Sequence, residues 1–105
     1  MQRTLLASLL LLMASGCAAG SDPCGDYDKV RRSLPRDAAA LLDRGVNCNH
    51  FAGEFNGDRS ARDQEINQVL TELRCDQVER EVAAIKRKYR ADPAVLKAFR
   101  VYYDE

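Results

Sequence analysis

The chain lacks a long apolar run, a surplus of charge of one sign and more than a single histidine, and each shortage removes a class of function. Its main apolar stretch, residues 5–13, falls well short of the roughly 20 residues that a helix needs to span a bilayer. With 16 basic and 16 acidic side chains the net charge is zero, so there is no overall electrostatic footprint for nucleic acid. One histidine, His50, is thin material for a catalytic triad or for a zinc site, which takes three or four Cys, His or carboxylate ligands. No stretch alternates apolar and polar residues as a half-buried strand does, and there is neither an internal repeat nor a low-complexity tract.

What the chain does have begins at its N-terminus. Arg3 precedes the apolar residues 5–13, and the tetrapeptide Ala14-Ser15-Gly16-Cys17 follows. A basic tip, a short apolar core and small residues before a cleavage point are the marks of a secretory signal. The tetrapeptide resembles the lipobox of bacterial lipoprotein precursors: an aliphatic residue, a small residue, Gly or Ala, then the modified Cys. Ser15, Gly16 and Cys17 fill the last three places, and Ala14 stands where Leu is usual. The resemblance implies removal of residues 1–16 and lipidation of Cys17 by diacylglycerol and an acyl chain such as palmitate. In the Gram-negative pattern a residue other than Asp after the Cys, here Ala18, implies the outer membrane, facing the periplasm. One acyl chain binds only marginally, whereas two or three anchor firmly. The other reading of these residues is an ordinary secretory signal that leaves a free protein.

Loss of residues 1–16 leaves 89 of the 105 residues: a short lipidated tether at 17–21 and one domain at 22–105. A domain of that size buries about 60% of the surface of its unfolded chain and often needs a staple. Cysteines can supply one in an oxidising compartment. If Cys17 is acylated, Cys24, Cys48 and Cys75 remain. Cys48 with Cys75 is the favoured pair, because the chain between them is helical and can return, and closing that loop contributes roughly 3 kcal/mol. Cys24 with Cys48 stays open as an alternative.

The domain reads as all-α, a bundle of four or five short helices. Asp22-Pro23 and Asp92-Pro93 each have the form of an N-cap followed by Pro at the first helical position. Pro35 kinks or restarts the first helix, a second runs over 35–44, and Gly45 stops it. Residues 46–58 read as an irregular loop. Ser60 with Asp63 resembles a capping box, although Asp58 could cap instead, and Asp76 with Glu79 is a second cap-like pair. Ile66, Val69, Leu70 and Leu73 form one apolar stripe, Val78, Val82, Ile85 and Tyr89 another, and Val95, Phe99 and Tyr102 a third. A hairpin of 60–74 against 77–90, crossed by 92–103, would bury most of these side chains. The basic cluster Lys86-Arg87-Lys88 with Arg90 reads as a solvated helix face, with a binding patch for anionic lipid or glycan as the alternative.

The loop holds the best candidate site. Cys48-Asn49-His50-Phe51-Ala52-Gly53-Glu54 is similar to a Cys-x-His-Phe-x-Gly-Glu segment of small exported bacterial proteins of unassigned function, a likeness that implies a helical disulfide fold and no activity. His50 and Glu54 are the weak metal candidates, since a disulfide would consume Cys48. Counting a calcium loop from Glu54 puts Arg59 at the sixth place, where Gly makes the sharp turn, so the match is a coincidence. No nucleophile motif is present, and the expectation is a non-enzyme without cofactor. The reading is a lipid-anchored envelope protein that binds another envelope protein or the cell wall. Its alternative is a small ligand or metal binder using the loop from Cys48 to Glu54.

Overall fold

The computed structural model of the chain describes residues 23–104. The expected leader and cleavage point and the expected lipidation site Cys17 lie outside the described residues. The chain divides into two compact units, residues 1–30 and residues 31–105. Of the first unit the described residues are most of α1 (Pro23–Ser33), with Tyr27 and Val30 half-buried.

The second unit carries α2 (Arg36–Glu54), α3 (Ala61–Glu72), α4 (Cys75–Lys88) and α5 (Pro93–Tyr102). The regular structure of the described residues is therefore all helix, without a strand, as the apolar periodicity implies. Pro35 restarts rather than kinks. It holds φ −55° and ψ 148° as the N-cap of α2, an extended geometry that proline's fixed φ favours and that a helix interior would forbid.

The expected stop at Gly45 does not occur. α2 runs on through Gly45 to Glu54, so the loop predicted over 46–58 shrinks to residues 55–60. A helical glycine costs about 1 kcal/mol relative to alanine, but here it lets another side chain in. A Cβ on Gly45 would lie 2.8 Å from the Tyr103 ring and 3.6 Å from Val78. The residues on either side, Leu41, Leu42 and Cys48, are buried, and their burial holds the helix across the glycine.

The expected hairpin of α3 on α4 is not the centre of the fold either. α2 packs on α3, α4 and α5, most extensively on α4. The cross-links fix the direction: Asp37 meets Lys88, Arg44 meets Glu81, and Cys48 is bonded to Cys75. Numbers rise along α2 as they fall along α4, so the two are antiparallel. The core between them and α5 is Ala38, Leu41, Leu42, Val78, Val82, Val95, Ala98 and Phe99, with Ile66 of α3 also buried. Val69, Leu70 and Leu73 of the α3 stripe are only half-buried.

The disulfide Cys48–Cys75 is present, with Cα atoms 5.6 Å apart and the two cysteines 27 positions apart in sequence. It ties the last third of α2 to the first residue of α4. Closing a loop of that length contributes about 3.5 kcal/mol by the loop-entropy argument.

Candidate functional site

The C-terminal turns of α2 carry the residues singled out in the sequence, and they do so on a helix, not on a loop. His50 and Glu54 stand four apart, hence on the same face, with His50 Nε2 3.0 Å from Glu54 Oε2. Arg62, from the first turn of α3, bonds the other Glu54 oxygen and also reaches Glu65 at 3.3 Å. Its guanidinium pKa is raised, first by the bond to Glu54. His50 is 59% exposed at the side chain, and its ring meets that of Phe51 edge to face at 5.0 Å. Glu54 thus spends both oxygens on protein partners, and Cys48 is spent in the disulfide. Among the described residues no group of three or more His, Cys, Asp or Glu side chains is placed to hold a metal ion.

The loop at 55–60 is organised by a residue that sequence reading assigned a smaller part. Ser60 caps α3 as expected, its hydroxyl accepting from the Asp63 amide at 3.1 Å. Asp63 does not complete the capping box by reaching back to the Ser60 amide, which donates to Asp58 instead. Its carboxylate turns into the loop, where Oδ1 accepts from the Asn56 amide at 3.0 Å and Oδ2 from the Asp58 amide at 2.8 Å. Asp63 is 2% exposed and is the only buried charged side chain among the described residues. These amide bonds, that of Asn56 first, hold its carboxyl below the ordinary aspartate range. The loop they fix contains Gly57 at φ 76° and Arg59 at φ 62°, the left-handed region that non-glycine residues seldom enter.

Grooves flank α2 among the described residues. One, of about 530 Å³, lies beside the disulfide and is lined by Asn49, Ala52, Asn67, Leu70 and Thr71 as well as the two cysteines. Another, of about 680 Å³, runs between α2 and α4 over Ala40, Leu41, Ala84 and Ile85. Its charged rim was not foreseen from sequence. Arg44 Nε donates to the Leu73 carbonyl at 2.8 Å, satisfying an orphan carbonyl at the end of α3, while its two terminal nitrogens grip Glu81 at 3.0 and 2.9 Å. The bidentate pairing lowers the Glu81 pKa and raises that of Arg44. At the other end Asp37 accepts from Lys88 Nζ at 2.6 Å and from the Tyr89 hydroxyl at 2.7 Å. Those two bonds, Lys88 first, lower the Asp37 carboxyl. Helical periodicity places Asp37 and Arg44 on one face of α2, but which face meets α4 follows only from the packing.

The second expected capping pair is absent. α4 begins at Cys75, and Arg74 before it sits at φ 53° with no side-chain cap. Asp76 lies within the first turn, where a negative charge favours the helix dipole. At α5 the expectation holds: Asp92 Oδ1 accepts from the Ala94 and Val95 amides at 3.1 and 3.4 Å, and Pro93 follows it.

No helix of the described residues is long and apolar enough to cross a membrane. No known protein family, curated protein or solved structure matches this chain.

Proposed function

We propose that this chain is a bacterial lipoprotein: exported, cut before Cys17, acylated there, and held in the cell envelope with its helical domain exposed to the periplasm. The observation that carries the reading is the order Arg3, apolar 5–13, Ser15-Gly16-Cys17. The resemblance to Gram-negative lipoproteins, with Ala18 after the Cys, favours the outer membrane. A disulfide that closes a 27-residue separation suits an oxidising compartment, and a staple suits a domain this small.

The role is a non-catalytic one, to bind another envelope protein or the cell wall. The geometry that supports this is the state of the polar groups. Glu54 is engaged by His50 and Arg62 at the end of α2, Arg44 and Glu81 pair beside it, and the buried Asp63 is committed to loop amides. Groups so engaged hold structure rather than stand ready for proton transfer. The alternative, a ligand or metal site on the Cys48 to Glu54 segment, keeps only the pair His50 and Glu54.

Metabolic labelling with a palmitate analogue tests the anchor. Label should enter the chain and be lost in Cys17→Ser, with the variant released from the membrane fraction. Unlabelled chain, or label that survives in Cys17→Ser, would contradict it. Zinc titration by calorimetry tests the alternative: heat that disappears in His50→Ala would favour a metal site over the proposal.

A further inference from the structure

The zero net charge of the chain conceals a division. Residues 54–79 carry seven Asp or Glu against three Lys or Arg, whereas residues 80–101 carry seven Lys or Arg against two acids, Glu81 and Asp92. Both of those acids are occupied, Glu81 by Arg44 and Asp92 as the cap of α5. Two of the cations are occupied as well, Lys86 by Asp104 and Lys88 by Asp37. Arg80, Arg87, Arg90, Lys97 and Arg100 are exposed, and none has an ion-pair partner among the described residues.

The fold turns these five outward. Val78 and Val82 point α4 into the core, as Val95, Ala98 and Phe99 do for α5. Arg80 and Arg87, seven apart, fall on one line of the opposite side of α4, a line that begins with the exposed Asp76 in the first turn and is basic beyond it, and Lys97 and Arg100, three apart, share a side of α5. Arg90 stands in the tight turn between the two helices, where the Asp92 amide bonds the Tyr89 carbonyl at 2.8 Å. Beside Lys97 and Arg100, Val101 is one of two large apolar side chains left exposed among the described residues, at 43%.

We propose that these exposed cations of α4, α5 and the turn between them dock on the anionic phospholipid head groups of the membrane in which the chain is anchored. The choice of lipid over other anions rests on the anchored reading. From Cys17 to Pro23 the chain spans six residues, at most about 20 Å when extended. Head groups are then the anion always within reach of the domain, and guanidinium groups suit phosphate oxygens. Each Lys or Arg near an anionic surface strengthens partitioning about fivefold.

The test uses residues 17–105 bearing Cys17→Ser, sedimented with phosphatidylcholine vesicles that do or do not contain one third phosphatidylglycerol. The chain should partition onto the anionic vesicles only and leave them as salt is raised. Replacing Arg87 and Arg90 by Gln should weaken partitioning about 25-fold. Replacing Arg32 and Arg36, exposed cations elsewhere, should change it much less. Equal partitioning onto both vesicles, or equal loss in the two double variants, would overturn the docking face. So would failure to bind either vesicle, even where the acylated chain is recovered from membranes, an outcome that leaves the anchor standing. Selective capture by an acidic protein column with no vesicle binding would also overturn it, in favour of a protein partner.

Discussion

Asp63 shows how much one side chain can organise. An ionised carboxylate is buried at a cost that its amide bonds offset, and those bonds fix a loop containing two left-handed residues. Asp63→Asn should therefore lower the melting temperature more than Ser60→Ala, whose lost cap costs about 1 kcal/mol. The pH dependence has a definite sign. The folded-state pKa of Asp63 is depressed, so its contribution is complete above the ordinary aspartate value of about 3.9 and is lost as pH falls through the lower folded value. The gap in stability between the parent and Asp63→Asn should be constant near neutrality and close below about pH 4. A gap that widened on acidification would contradict the assignment. Gly45 is the other single-residue lever. Gly45→Ala should destabilise the parent, because the new methyl meets the Tyr103 ring. In a Tyr103→Ala background the same change should stabilise by about 1 kcal/mol, the intrinsic helix preference. Thermal unfolding of the four chains in that cycle reads the reversal directly.

Among the elements, the starts of α3 and α5 were legible in sequence because their signals are local: a Ser hydroxyl or an Asp carboxylate within reach of the next amides, with Pro93 behind Asp92. The pairing of Cys48 with Cys75 was legible as one of two options, because helical periodicity implied a returning chain. The length of α2 was not legible. Gly45, Asn47 and Asn49 read as loop formers, yet Gly45 serves a ring 58 positions away, and Asn49 donates to the Tyr103 carbonyl at 3.0 Å. Neither partner can be seen from a local window. The consequence for the candidate site is direct: His50 and Glu54 pair because they lie one helical turn apart, which a loop reading could not supply. Since α2 touches every other helix of the second unit, its tie to α4 should matter more than the caps. Cys75→Ala should cost about 3.5 kcal/mol in denaturant unfolding, against about 1 kcal/mol for Asp92→Ala at the start of α5. Equal losses would mean that packing alone holds α2 on α4.

At the scale of the molecule, the second unit is a small stapled helical domain with many of its polar groups engaged with one another, and with five exposed cations that lack an ion pair on α4, α5 and the turn between them. Surface ion pairs such as Lys86 with Asp104 add little stability, so that arrangement is better understood as a surface pattern than as a source of folding energy. The proposed lipid anchor would give the pattern its meaning by setting what lies next to it. The most direct test of the anchor is the intact mass of the chain recovered from bacterial membranes, alkylated without reduction and mapped by peptides. The account predicts a chain that starts at residue 17, heavier by diacylglycerol and an acyl group on Cys17, with the Cys48 and Cys75 peptides linked. An unmodified chain that starts elsewhere would contradict it.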